Sequence, residues 1–172
     1  MQPTRWYTTQ LTPWGCIALV GSDEGLVRLT LPFDREKDAL SEVARELTGF
    51  AVLDSAPFAS LMPRLMRYFA GEAVDFSDVP LDLSRTTPFR RRVMNAVRRI
   101  PRGDVMSYRE VASKVGRPLA ARAVGATMAA NPVCIIVPCH RVVGSDGALV
   151  GFGGGLQMKQ RMLEMEGARL AA

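Results

Sequence analysis

A thiol, an imidazole and a guanidinium follow one another at Cys139, His140 and Arg141, and His140 is the only histidine in the chain of 172 residues. A thiolate is a nucleophile, and a neutral imidazole can remove a thiol proton near neutral pH. The β-branched apolar run 135–137 predicts a short buried strand, which ends at Pro138 because proline has no N–H to donate. A cysteine at the end of such a strand is either inert packing or a buried nucleophile, and the run alone does not distinguish the two.

A reactive Cys139 needs a base, and His140 is the first candidate. Neighbours on an extended strand point to opposite faces, so contact between the two side chains requires a turn at Pro138 or a bridging water. A carboxylate would then hold the other imidazole nitrogen, and Glu166 is the best-placed candidate. Glu166 ends a predicted helix over 156–166, where the helix dipole disfavours a negative charge. We therefore expect Glu166 to have a cationic or hydrogen-bonding partner; the alternative is a frayed surface residue.

Charge is distributed unevenly between the two halves of the chain. Residues 1–87 hold 8 Lys and Arg against 12 Asp and Glu, a net charge of −4, whereas residues 88–172 hold 14 against 5, a net charge of +9. Such asymmetry is typical of a protein whose second half binds a polyanion such as nucleic acid. An ordinary basic surface is the alternative.

Composition and cysteine usage narrow the class of protein. No apolar run reaches the length of about 18 residues that a transmembrane helix requires, and the N-terminus lacks the apolar segment of a secretory signal. The three cysteines, Cys16, Cys134 and Cys139, lack the spacing of a metal site. We expect a folded cytoplasmic protein without a metal.

In the first half, short apolar runs alternate with turn residues and predict a β-meander followed by helices. The predicted strands cover 6–11, 16–20 and 26–31, and the predicted helices cover 34–49 and 61–70. Residues 51–53 and 79–83 are candidates for further short strands. The acidic side chains of this half are spread singly, which indicates a solvated face rather than a site.

In the second half, helix-start signals are strong. Thr87 followed by Pro88 is an N-cap with proline at the first helical position, and we place a domain boundary there, between 1–86 and 87–172. Ser107 and Glu110 form a capping box. A further helix over 119–130 follows a short turn, so the pattern is that of a helix-turn-helix, although a generic helical hairpin has the same appearance.

The helix over 119–130 is unusual for a DNA reader because it has almost no side chains that could hydrogen-bond base edges in the major groove. Arg122 is its one long side chain, among alanines. The helix is either a tightly packed core element or a minor-groove element with Arg122 as a wedge into the base stack, and the basic setting favours the second. The glycine-rich loop 150–155 lacks nucleotide-phosphate spacing and would let backbone N–H groups approach a flat ligand.

Taken in order, these motifs resemble the O6-alkylguanine-DNA alkyltransferases, also called methylated-DNA–protein-cysteine methyltransferases. The resemblance is carried by Pro138-Cys139-His140-Arg141, by Asn131-Pro132, by the Ala-Arg-Ala-Val-Gly helix, by the glycine-rich loop and by Glu166-Gly167. It covers about residues 87–170; the first half fits only in size and layout. The fold it implies is α+β, with an N-terminal ribonuclease-H-like meander plus helices and a C-terminal, winged-helix-like helix-turn-helix domain that binds DNA and carries the cysteine.

The resemblance also implies a mechanism. The helix of Arg122 would enter the minor groove, and Arg122 would fill the gap left by a flipped-out alkylguanine. Cys139 would attack the O6-alkyl carbon while His140, through a water, takes the thiol proton and Glu166 orients the imidazole. The alkyl group would stay on sulfur, so that each molecule repairs one lesion. No cofactor is implied. The partner is duplex DNA, bound by a monomer in solution, and cooperative binding along DNA and activity on O4-alkylthymine stay open.

Supporting roles follow from the same resemblance. Asn131 would stabilise the turn that carries the cysteine, and Tyr108 would donate to guanine N3. The substrate pocket would be formed by Val142, Phe152, Gly153 and Met128. The DNA contacts would come, besides Arg122, from Ala121, Ala123, Gly125, Arg90, Arg109, Arg117 and Ser145.

The sequence departs from the family pattern at some positions, and other classes of protein are possible alternatives. Phe152 stands where many members have tyrosine, Met94 replaces a common aromatic, and the zinc ligands of some members have no counterpart. Non-reactive lesion binders of the same fold lack the cysteine. A helix-turn-helix regulator should carry Asn, Gln or several Arg on its recognition helix, and a Cys–His hydrolase is disfavoured by a single histidine adjacent to the cysteine.

Overall fold

The computed structural model describes residues 4–169, so the outermost residues of the two predicted domain ranges lie outside the described part. The chain forms two compact units. The first extends to Arg85 and also includes Pro132–Cys134, and the second comprises Thr86–Asn131 and resumes at Ile135. None of the helices within residues 4–169 is long and apolar enough to cross a membrane.

The first unit contains the predicted β-meander. Strands β1, β2 and β3 pair antiparallel in sequence order, and β4 pairs parallel to β1, which gives the sheet order β3-β2-β1-β4. Two α-helices complete the unit, and Pro63 lies in the first turn of the second. The bounds are β1 Arg5–Thr12, β2 Gly15–Ser22, β3 Gly25–Leu29, α1 Glu36–Glu42, β4 Ala51–Leu53 and α2 Met62–Phe69.

The core of this unit is built on β2. Residues 17–20 of this strand are completely buried, because a central strand covered on both faces buries successive side chains. On one face Ala18 and Val20 pack with Ala39 of α1 and with Val43, which follows it. The apolar stripe therefore holds this face together although the helix is shorter than its spacing predicts.

Two predictions for the first unit were wrong. The helix over 34–49 ends at Glu42, and the chain continues in turns while Val43 stays packed, since apolar spacing persists beyond the helical backbone. The candidate strand over 79–83 forms only one isolated bridge, between Leu81 and Leu26. Pro80 interrupts any ladder there because it cannot donate.

The second unit is mainly helical. Thr87 caps α3 by accepting from the Arg90 N–H, and Ser107 and Glu110 form both bonds of the predicted capping box at α4. Helix α5 packs on α4, and α3 packs on both, as in a helix-turn-helix unit. The bounds are α3 Pro88–Arg98, β5 Met106–Ser107, α4 Tyr108–Lys114, α5 Ala121–Ala129, β6 Val142–Val143 and α6 Leu156–Met165.

The predicted strand over 135–137 is absent. Ile135 has a φ of 73°, in the left-handed region that β-branched residues rarely adopt, and Ile136 shares its turn. The apolar run is buried, as predicted, but it is folded as a turn because burial of such a run does not require extended backbone. The cysteine is thus presented from a loop rather than from the end of a strand.

Candidate active site

Cys139 begins a single 3₁₀ turn, Cys139–Arg141, directly after a tight turn centred on Pro138. The Cys139 N–H donates to the Val137 carbonyl at 2.8 Å, and the φ of −78° and ψ of 69° at Pro138 are those of an inverse γ-turn. The Asn131 side-chain amide donates to the same carbonyl, also at 2.8 Å. Two donors on one carbonyl fix the backbone immediately before the thiol.

The turn at Pro138 determines how Cys139 and His140 are presented. A strand would have sent the two side chains to opposite faces, whereas the 3₁₀ turn buries both, leaving Cys139 5% and His140 1% exposed. The turn that adjacency required at Pro138 is therefore present.

Glu166 has partners of both expected kinds. Its Oε1 lies 2.9 Å from His140 Nε2, and Arg141 donates to both carboxylate oxygens, from Nε at 2.8 Å and from Nη2 at 2.9 Å. The remaining Arg141 group, Nη1, donates to the carbonyl of Ile100 at 2.6 Å. The expectation of a cationic partner is confirmed, and the alternative of a frayed surface residue is wrong, since the Glu166 side chain is fully buried.

The electrostatics of this network fix the protonation of His140. Burial opposes the charge of Glu166, but hydrogen bonds from His140 and Arg141 outweigh it and hold the pKa of Glu166 well below its usual range. Burial lowers the pKa of His140, although Glu166 acts in the opposite direction. The imidazole is therefore neutral near pH 7.

A neutral imidazole carries one proton, and the ionised carboxylate requires it on Nε2 as the donor to Glu166. Nδ1 is then an unprotonated acceptor. It is buried and has no hydrogen-bond partner among residues 4–169. His140 thus keeps a basic nitrogen available, in the tautomer that a general base requires.

Tyr108 is the first residue of α4, and its hydroxyl donates to the Val150 carbonyl at 3.2 Å. Burial and the nearby Cys139 raise the pKa of Tyr108, so the hydroxyl stays protonated and remains a donor. Because Cys139 is one of the two causes of this shift in the pKa of Tyr108, the two predicted residues lie in one environment.

Sequence reasoning missed Lys159. Its side chain is completely buried, and Nζ donates to the carbonyls of Val142 and Val150. Burial lowers its pKa to about 8. A signal existed: Lys159 precedes Met162 and Leu163 by three and four residues, so that it lies on the apolar stripe of α6.

Six of the eight predicted DNA-contact residues lie on α5 or in a depression beside it. Val124, Thr127 and Met128 face inward, whereas Arg122 and Ala123 are exposed, so the helix is not wholly a core element. A shallow depression of about 310 Å³ brings six of the predicted residues together: Tyr108, Arg109, Ala121, Arg122, Gly125 and Ser145.

The other predicted residues are more dispersed. Arg90 lies in the first turn of α3 and Arg117 in the turn between α4 and α5, both exposed and neither in the depression. Of the predicted pocket residues, Val142 and Met128 are buried, whereas the loop residues Phe152 and Gly153 are half-buried and exposed, respectively.

The second unit combines helices that have an exposed basic face with a buried cysteine beside a histidine–carboxylate pair. Together with the preceding α+β unit, these features are typical of a class of DNA-binding proteins with thiol chemistry. Family models divide along the same lines. Residues 6–83 match the 6-O-methylguanine DNA methyltransferase ribonuclease-like domain, and residues 88–168 match the DNA-binding domain of the same family.

Individual relatives agree over nearly the whole chain. The methylated-DNA–protein-cysteine methyltransferase of Mycobacterium bovis is 49% identical over 166 residues, 96% of this chain and 94% of the relative, and that of Salmonella typhimurium is 37% identical over 91% and 92%. Among solved structures, Mycobacterium tuberculosis OGT in complex with DNA superimposes with a TM-score of 0.78 at 40% identity, covering 94% and 92% of the two chains. The chain belongs to the 6-O-methylguanine DNA methyltransferase family.

Proposed function

We propose that this protein repairs O6-alkylguanine in duplex DNA by moving the alkyl group irreversibly onto Cys139, once per molecule. The observation that carries the proposal is the buried sequence of groups Cys139, His140, Glu166 and Arg141. It combines a nucleophile with a neutral imidazole whose Nδ1 can accept a proton and a carboxylate held ionised by Arg141. A thiol of pKa about 8.5 becomes an effective nucleophile when such a base removes its proton.

The chemical step is a single displacement at carbon. The Cys139 sulfur forms a bond to the alkyl carbon as the bond from that carbon to guanine O6 breaks. The thiol proton passes through a water to His140 Nδ1, and the Glu166 carboxylate stabilises the imidazolium that results. The electron pair of the broken bond stays on guanine, where Tyr108 donates to N3 until a proton neutralises the base. The products are unmodified guanine and a thioether, which has no easy hydrolysis, so the protein is consumed.

Access to the buried thiol requires the base to leave the helix. A helix of small residues can enter the minor groove closely, and Arg122, exposed on α5, would occupy the space of the flipped base. The depression that contains Tyr108 and Arg122 adjoins this face, and the second half of the chain is strongly basic. The flipped base would lie against Val142, Met128 and the loop of Phe152 and Gly153, whose N–H groups would contact O6.

The test is mass spectrometry after incubation with a duplex that contains one O6-methylguanine. We expect Cys139 alone to gain about 14 Da, because a methyl group replaces the thiol hydrogen. The reaction should stop after one transfer per molecule. Cys139→Ser should form no adduct, whereas Cys16→Ser and Cys134→Ser, which change the other two thiols, should form it at the unchanged rate. An unmodified protein, or an adduct on Cys139→Ser, would refute the proposal. An O4-methylthymine duplex tested in parallel defines the substrate range.

The role of Arg122 has its own test. Arg122→Ala should slow repair of duplex DNA by about 10-fold or more, since an inserted side chain compensates for a few kcal/mol of unstacking. The reaction with the free O6-alkylguanine base should be nearly retained. Arg35→Ala, which removes an exposed arginine of the first unit, is the matched control. Equal loss on both substrates would show that Arg122 is structural.

The wider setting is part of the same proposal. Residues 1–86 would serve as scaffold and residues 87–172 would bind DNA and react, in a monomer located with the nucleoid in the cytoplasm. Sedimentation with and without duplex measures the oligomeric state, and binding isotherms on long and short duplexes distinguish independent from cooperative binding.

A further inference from the structure

Lys159 occupies a place where a lysine is costly. It is one of three lysines in the chain, and none of its surface is exposed, whereas Lys37 and Lys114 are exposed. Moving an ammonium group out of water is unfavourable unless its N–H groups find acceptors. Among the described residues, its recorded acceptors are two backbone carbonyls rather than a carboxylate. An apolar residue would fill this position on α6 at lower cost, so the charge calls for an explanation.

The Lys159 ammonium joins elements that the proposed chemistry depends on. It donates to Val142 in β6 and to Val150 at the start of the glycine-rich loop, at 3.1 Å for the second. It also lies 5.8 Å from the ring centroid of Tyr108 and 5.9 Å from that of Phe152, within the range of cation–π attraction. One charged group therefore connects α4, α6, β6 and the loop.

The Val150 carbonyl is shared. It accepts from the Tyr108 hydroxyl at 3.2 Å as well as from Lys159. A hydroxyl has a single proton to donate, so Tyr108 cannot hold Val150 and a substrate base at the same time. An ammonium has three N–H groups and can keep both of its carbonyls throughout.

The loop has little else to hold it. A Cβ added at Gly151, Gly153 or Gly155 would meet no atom within 4 Å, so the space on the Cβ side of these three positions is open among the described residues. Gly155 donates to Phe152 within the loop, which shapes the loop but does not anchor it. Its attachment at Val150 thus decides where Phe152 and Gly153 lie.

We propose that Lys159 is a positioning residue that keeps the Val150 carbonyl, and with it the glycine-rich loop, in place when the Tyr108 hydroxyl leaves that carbonyl for a bound base. This rests on the proposed function, in which Tyr108 donates to guanine N3 and the loop contacts O6. Lys159 itself does not touch the reacting atoms.

The first test is hydrogen–deuterium exchange of the loop in the Cys139→Ser chain, which cannot react, with and without a duplex containing O6-methylguanine. Lys159→Met is compared with the unchanged lysine, and Lys37→Met is the matched control. In the free protein Tyr108 still holds Val150, so we expect the two backgrounds to exchange similarly. In the complex the loop of Lys159→Met should exchange about 10-fold faster or more, as expected for a local opening that loses its last anchor. Equal exchange in the complex, or a rise already present without DNA, would overturn the proposal.

The second test separates binding from transfer. With Cys139 present, Lys159→Met should lower the first-order rate of adduct formation at saturating duplex by about 10- to 100-fold. The reason is that a displacement of the loop N–H donors by about 1 Å reduces the rate of a reaction by up to that factor. The Kd for the duplex should stay within about 2-fold of the original value. Lys159→Gln keeps a shorter, neutral donor, so its rate of adduct formation should lie between those of the unchanged chain and Lys159→Met. This variant replaces Lys159→Met in the test if Lys159→Met does not fold. A loss in Kd with an unchanged rate would refute the role. Absence of any adduct in the unchanged chain would instead refute the proposed function.

Discussion

The two units of this protein treat buried polarity differently. The first unit buries hydroxyl groups, those of Thr8, Thr12 and Thr30, and its ion pairs lie at the surface, as in Arg28–Glu42, whose side chains are 23% and 48% exposed. The second unit buries a histidine, a lysine and a glutamate, together with an arginine that is 12% exposed.

This difference indicates that the second unit gives up stability. A buried ion pair gains attraction but loses hydration, so that an apolar replacement is often as stable or more stable. The first unit demonstrates that this chain can build a core from aliphatic and aromatic side chains around β2 without such groups. Under the proposed function, the buried network of the second unit serves the chemistry at Cys139 rather than stability.

The strongest test of this difference between the units is to neutralise one carboxylate in each of them. Glu166→Gln leaves Arg141 buried without its counter-charge, and we expect a loss of about 3–5 kcal/mol in the free energy of unfolding. Glu42→Gln removes an exposed pair and should cost less than about 1 kcal/mol. Urea denaturation followed by circular dichroism measures both. If the two variants lost equal stability, burial would not be what distinguishes the units.

Local signals predicted most of the fold. The meander, the Thr87 cap and the Ser107–Glu110 capping box depend on neighbouring residues, so the sequence alone is enough to predict them. The turn at 135–137 does not depend on neighbouring residues alone. Its backbone is set by the Asn131 amide that holds the Val137 carbonyl and by the left-handed Ile135, and a β-branched run favours a strand until such tertiary contacts are known.

The site shows the same division. Residue types and adjacency identified Cys139 and His140, and the helix dipole showed that Glu166 needed a partner. The identity of that partner, Arg141, is a long-range contact between residues 25 positions apart. Lys159 was missed because a lysine on a helix is normally exposed, and only its register with Met162 and Leu163 indicated otherwise.

The buried His140 and Glu166 of the second unit should also make its stability depend on pH, by a smaller amount than the loss expected for Glu166→Gln. Burial lowers the pKa of folded His140, so that below about pH 6.5 the unfolded chain takes up a proton that the folded chain does not. The stability contribution is thus fully present above that pH and is lost as the pH falls, at up to about 1.4 kcal/mol per pH unit. Glu166, with its lowered pKa, adds a similar decline below about pH 4.5.

His140→Gln tests this assignment because it removes the only imidazole of the chain. Between pH 7 and pH 5 the free energy of unfolding of this variant, measured in urea, should change less than that of the unchanged chain. Below pH 4.5 both curves should decline, since Glu166 remains in both chains. Identical curves from pH 7 to pH 5 would mean that His140 titrates alike in the folded and unfolded chain.

The smallest expected effect concerns Gly125, where stability and DNA binding should respond in opposite directions. Gly125 lies inside α5, where alanine is favoured by about 0.5–1 kcal/mol, and an added Cβ would lie 3.8 Å from the Tyr108 ring, an ordinary contact. Gly125→Ala should therefore raise the free energy of unfolding by about that amount. If α5 enters the minor groove, the same methyl group should weaken duplex binding several-fold, measured by fluorescence anisotropy, with alkylation by the free base nearly unchanged. A variant that gained stability without losing affinity would show that Gly125 is not at the groove, and the second unit would then give up stability only for its buried charges.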